Sequence, residues 1–153
     1  MRTTAVLAAL AACALVAGTA AAQERTSAVP LGAFVDSFTD PALTSAQKEV
    51  KLPAGTWYEG VVTVTDVEYY KGQGGVPAFA EIQDENYRGG CFLLIFRTPD
   101  TEKALSLKID DRVMVRGRLA DTGVHLSRFL SGCETRFALF KECEILGVAR
   151  PKR

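Results

Sequence analysis

Histidine is almost missing from this 153-residue chain, where His125 is the only one. Cysteine is scarce too, at four, and no two stand in a C-x-x-C spacing. These shortages leave His-rich metal sites and Cys–His or Ser–His nucleophilic catalysis short of parts, and they give no support to a zinc knuckle or a thioredoxin-like redox pair. An excess of either charge is also lacking, since 18 Lys and Arg balance 18 Asp and Glu. A neutral chain is poorly suited to polyphosphate binding, which draws on Lys and Arg displacing counterions. With 48% hydrophobic and 24% charged residues the composition is that of a globular protein, neither collagen-like nor low in complexity. The length suits one domain with a sizeable core.

The N-terminus carries the one long apolar run. Met1-Arg2 is a minimal positive region, Ala5 to Ala17 is an uncharged Ala/Leu/Val stretch, and Ala20-Ala21-Ala22 offers small residues before Gln23. This is the layout of a secretory signal peptide cleaved after Ala22, too short and Ala-rich for a permanent membrane span. A competing reading takes Leu10-Ala11-Ala12-Cys13 as a lipobox, with Cys13 lipidated. After cleavage 17 basic side chains face 18 acidic ones, and the product is expected to be periplasmic or secreted. Cys91, Cys133 and Cys143 then remain, and an oxidising compartment permits one bridge with one thiol left over.

Residues 23–54 form an N-terminal segment. Leu31, Phe34, Val35 and Phe38 recur at helical spacing, and Thr44-Ser45-Ala46-Gln47 has the form of a capping box opening a second short helix that Pro53 and Gly55 close. Both helices are expected to pack on a sheet. From Trp57 the pattern turns to strands. Val62 and Val64 share one parity and Val67 and Tyr69 the other, which predicts one long bent strand over Trp57 to Tyr70. Val76 to Gln83 alternates, with Val76, Ala78, Ala80 and Ile82 on one face and Phe79 and Glu81 on the other. Asp84 to Gly90 reads as a turn and Cys91 to Phe96 as a fully buried strand. A short helix follows Thr98-Pro99-Asp100-Thr101. Arg112 to Leu119 alternates with Val113, Val115 and Leu119 inward, and Phe137 to Leu146 supplies a last strand after a loop from Asp121 to Gly132. Five strands with a helical excursion between the third and fourth predict a mainly β, OB-fold-like barrel over residues 55–147, followed by a basic tail, 148–153.

Leu107-Lys108-Ile109-Asp110-Asp111-Arg112-Val113-Met114-Val115-Arg116-Gly117-Arg118-Leu119 resembles the fourth strand of many OB-fold families. With Gly60-Val61-Val62, Cys91-Phe92-Leu93 and Cys143-Glu144-Ile145, the chain is similar to the bacterial tRNA-anticodon-binding-like OB family over roughly residues 57 to 147. Asp110 stands where that family has Gly, so Asp must tolerate any positive φ there. The resemblance implies the fold and brings no catalytic residues, cofactor or metal.

The function expected is therefore a non-catalytic binding or assembly module for a small ligand, an oligosaccharide or a protein partner. Its contacts would come from Trp57, Tyr69, Tyr70, Phe79, Tyr87, Arg112, Arg116, Arg118 and Phe129, of which Tyr69, Tyr70 and Phe129 are near the Gly72–Gly75 loop and the Asp121–Gly132 segment, where specificity is expected. Single-stranded nucleic-acid binding is an alternative, since Arg112, Arg116 and Arg118 line one strand face, but Glu81, Asp84, Glu85, Glu142 and Glu144 interleave with such candidates. A hydrolase with a carboxylate-held metal is a second alternative, drawing on Asp66, Glu68, Asp84, Glu85, Asp110 and Asp111. In an OB barrel the third and fifth strands run parallel side by side. That geometry implies a Cys91–Cys133 disulfide with Cys143 a buried thiol; a Cys133–Cys143 bridge, or none, stays open.

Overall fold

A computed structural model describes residues 27–86, 91–125 and 135–149. The signal region, Tyr87, Phe129, Cys133 and the end of the basic tail lie outside the described residues. Strands take 54% and helices 20% of what is described, so the fold is mainly β.

The chain opens with a two-residue strand β1 (Val29–Pro30) that runs straight into helix α1 (Leu31–Thr39). Leu31, Phe34 and Phe38 are buried along one stripe of α1, as their spacing predicts. Helix α2 (Ser45–Lys51) starts on a complete capping box. The Thr44 hydroxyl accepts from the Gln47 N–H, and the Gln47 side chain accepts from the Thr44 N–H.

Among the described residues seven strands form a single mixed sheet that is not closed, where a five-stranded barrel was expected. They are β1, β2 (Trp57–Thr63), β3 (Asp66–Tyr70), β4 (Phe79–Asn86), β5 (Cys91–Thr98), β6 (Arg112–His125) and β7 (Thr135–Ala149), in the order β1-β2-β6-β7-β5-β4-β3. Helix α3 (Thr101–Leu105) lies between β5 and β6, with the Asp100 carboxylate accepting from the Lys103 N–H.

The long bent strand is present, broken at Val64 and Thr65. β2 pairs antiparallel with β6, while β3 pairs antiparallel with β4 on the opposite side of the sheet. The bend is tied to both sides. Val64 exchanges backbone hydrogen bonds with the Asp110–Asp111 turn at 2.9 Å, and the Thr65 N–H donates to the Gln83 carbonyl at 2.8 Å. Val62 and Val64 are buried before the bend and Val67 packs on the core after it, which is the parity switch read from the sequence.

β5 and β7 run parallel with Cys91 in register with Thr135, and β5 is buried throughout except for half-exposed Arg97. Several strand ends differ from expectation. β4 begins at Phe79, because the Gly-rich turn and Pro77 hold Val76 57% exposed, off the sheet. β4 also continues through Asn86, where a turn was expected. β6 runs on to His125 and β7 starts at Thr135, because the two pair with each other well past Leu119 and Phe137. Long-range pairing extends strands through polar residues that carry no apolar alternation.

Between α1 and the sheet sits an aromatic core. Phe34 meets Tyr58 and Phe140 edge-on at 5.1 Å each, and Phe96 stacks on Phe140 at 4.6 Å. Each such ring pair adds about 0.5–1.5 kcal/mol beyond the area it buries.

Candidate functional site

Strand alternation places Glu68 and Tyr70 of β3 on one face, in register with Glu81 and Phe79 of β4; Arg97 of β5 is in register with Glu81. The result is a row of aromatic and charged side chains across three strands. Tyr70 and Phe79 stack at 4.8 Å, and the Arg97 guanidinium lies 4.3 Å from the Phe79 centroid. Arg97 donates through Nε and Nη2 to Glu81 Oε1 at 2.9 and 2.6 Å, and the Glu81 carboxylate is nearly buried. The Tyr70 hydroxyl donates to Glu68. That hydrogen bond, then burial, then the negative charge of Glu81 push the Tyr70 phenol well above its ordinary pKa, so it stays a neutral donor at any physiological pH.

This ledge is anchored twice over. Phe79 is held between Tyr70 and Arg97, and Tyr70, 39% exposed, ends the row in water. Of the residues expected to contact a ligand, Tyr70 and Phe79 are brought together here. Tyr69 is not with them, because adjacent strand residues point to opposite faces and Tyr69 pairs with core-facing Ala80. Arg97 and Glu81 complete the row. Sequence alternation puts Glu81 on the Phe79 face, whereas the apolar strand read from Cys91 stops at Phe96, one residue short of Arg97.

The arginine row of β6 divides. Arg116 is buried over the Trp57 ring at 5.3 Å, and Arg118 pairs with Glu142 at 2.7 Å. Arg112 stands apart, beside exposed Val61, Met114 and Val148. Most of this strand's positive charge is therefore engaged by an aromatic ring or a neighbouring carboxylate. Tyr87, Phe129 and Cys133 lie outside the described residues.

At the β2–β3 bend, Asp84 accepts from the Thr63 N–H at 3.1 Å, and burial raises its pKa against the lowering effect of that hydrogen bond. Cys143 is a free, buried thiol, and burial holds its pKa far above the usual range. Among the described residues, no three His, Cys, Asp or Glu side chains are grouped to hold a metal ion. No helix among them is long and apolar enough to cross a membrane. No protein-family model matches the chain, and no curated protein is similar enough to count as a relative.

Proposed function

We propose that this chain is a non-catalytic, exported binding module on an OB-like barrel, related in fold to the tRNA-anticodon-binding-like OB family, and that it takes an oligosaccharide on the Tyr70–Phe79–Arg97 ledge. The observation that carries the reading is the exposed Tyr70 ring, held flat by Phe79 behind it and by its own hydrogen bond to Glu68. A fixed aromatic face beside carboxylates suits a sugar, whose C–H face stacks on the ring while its hydroxyls find acceptors.

The barrel reading draws on strand order. β2 and β3 are successive parts of one segment yet pair with opposite parts of the sheet, and β5 and β7 are parallel. Nucleic acid is the weaker alternative, because Glu68 and Glu81 would face its phosphates and Arg97 is already neutralised by Glu81. The metal-hydrolase alternative has no ligand cluster among the described residues to support it.

The proposal includes a Cys91–Cys133 bridge. In the sequence Cys133 stands two residues before Thr135, the register partner of Cys91. Cys143 lies eight residues beyond that partner along β7, roughly 26 Å at 3.3 Å per residue.

The test is calorimetric titration of the mature chain with a panel of neutral oligosaccharides and with single-stranded oligonucleotides. An oligosaccharide should bind, and Tyr70→Ala should weaken it about tenfold, the value of one stacked ring. Salt-sensitive oligonucleotide binding, or sugar binding indifferent to Tyr70, would overturn the reading.

A further inference from the structure

A second concavity lies away from the ledge, between α2 and the β6–β7 pair. It encloses about 190 Å³ and is walled by Phe38 and Leu52, with Ser45 and Thr122 among its polar lining. Two cationic side chains line it, Lys48 from α2 and Arg136 from β7. Lys48 is only 8% exposed, so most of its side chain is packed away from water.

Among the described residues neither cation has an ion-pair partner. The ion pairs among the described residues join Arg97 to Glu81, Lys103 to Asp100 and Arg118 to Glu142, and none includes Lys48 or Arg136. Asp40 attracts Lys48 from a distance, but its Oδ1 accepts from the Ala42 N–H at 2.8 Å in its own turn. Glu49 is on the wall and pairs with neither. Burial, and next the Arg136 charge, lower the Lys48 pKa below its ordinary value.

Two cations that line one half-apolar cleft with no ion-pair partner among the described residues are unfavourable alone and favourable around an anion. Arginine offers a planar fork that grips two oxygens, and lysine adds a point charge. A volume below the roughly 300 Å³ of drug-sized pockets limits the occupant to a compact group. We propose that this cleft is an oxyanion-binding site, with Lys48 and Arg136 as its charged arms and the Ser45 and Thr122 hydroxyls as neutral donors, taking a phosphate or carboxylate group. The proposal is independent of the oligosaccharide ledge.

Amide NMR titration of the mature chain, at constant ionic strength, with inorganic phosphate and separately with acetate tests it. Saturable shifts at Ser45, Lys48, Thr122, Gly123 and Arg136 are expected; tighter phosphate binding marks a phosphoryl ligand and tighter acetate binding a carboxylate. Lys48→Met and Arg136→Gln should each weaken the preferred anion at least about tenfold, the worth of one charge-assisted hydrogen bond. In anion-free, low-salt buffer Lys48→Met should melt above the parent, because it keeps the stem and removes the repulsion. A site absent to both anions, shifts that survive both substitutions, or a Lys48→Met protein that melts below the parent would overturn the proposal.

Discussion

Gly117 has no room for a methyl group. A Cβ built there would stand 2.5 Å from Cys143 Sγ and 3.0 Å from Phe140 Cβ. The opposing strand bulges at this point, with Glu142 at φ 55° and the β6–β7 register slipping between Arg116 and Arg118. Gly117→Ala should therefore destabilise the fold by about 1–3 kcal/mol, the usual cost of overpacking a core. Cys143→Ala should recover part of that loss in the double variant, and urea unfolding of the four proteins in the cycle measures it. Purely additive losses would mean that Cys143 is not what excludes the methyl group. The glycine was legible in the fourth-strand motif, but its reason was not, since the sulfur that crowds it comes from another strand. Asp110 was legible in both respects. It sits at φ 71° where the motif has Gly, its N–H bonded to the Val64 carbonyl and the Asp111 carboxylate closing the turn onto the Lys108 N–H. Asp is among the few residues that adopt this conformation readily.

Among the elements, the bend between β2 and β3 decides how the rest is arranged. Asp84 pins its first half through the Thr63 N–H, while the Thr65 hydroxyl accepts from the Glu85 N–H and donates to the Gln83 carbonyl. Burial raises the Asp84 pKa above its ordinary 3.8, so the folded state holds this proton to a higher pH than the unfolded chain. Stability from this group is greatest below both values and falls as pH rises between them. Asp84→Asn keeps an oxygen for the Thr63 N–H and removes the buried charge. It should melt above the parent at pH 7, and the gap should close as pH falls to about 3.8 or lower, on thermal melts across that range. A gap that does not change with pH would show that Asp84 is not desolvated. The bend itself was legible as a switch in valine parity, and the capping box at Thr44 was legible as four letters. The ends of β4, β6 and β7 were not, because they are set by partners rather than by local pattern. The Tyr70–Phe79–Arg97 row was half legible for the same reason. Alternation puts Phe79 and Glu81 together, but only cross-strand register brings in Tyr70 and Arg97. Lys48 and Arg136 meet from a helix and a distant strand, which no linear pattern encodes.

At the scale of the whole molecule, the question is what holds a small β-rich chain of this length together. The core of the described residues is one cluster in which aromatic rings under α1 pack with aliphatic strand residues, and the parallel pairing of β5 with β7 joins strands that are remote in sequence. Such pairing is entropically expensive to form, so a covalent tie across it has the most to offer. A Cys91–Cys133 bridge would close a loop of about forty residues and would add about 3–4 kcal/mol on the chain-entropy model. Cys143 is buried in β7 with its thiol held protonated, so it is a poor nucleophile for disulfide exchange and should not scramble the pairing. Peptide mapping of the mature chain without reductant should yield one cross-linked peptide containing Cys91 and Cys133, with Cys143 alkylated only after unfolding. Dithiothreitol should shift the urea midpoint down by an amount matching that loop, and Cys133→Ser should reproduce the reduced midpoint without reductant. A cross-linked peptide containing Cys143 would contradict the register of β5 against β7. Three thiols alkylated in the unreduced, unfolded chain would remove the bridge and with it the main stabilising reason for placing this protein in an oxidising compartment.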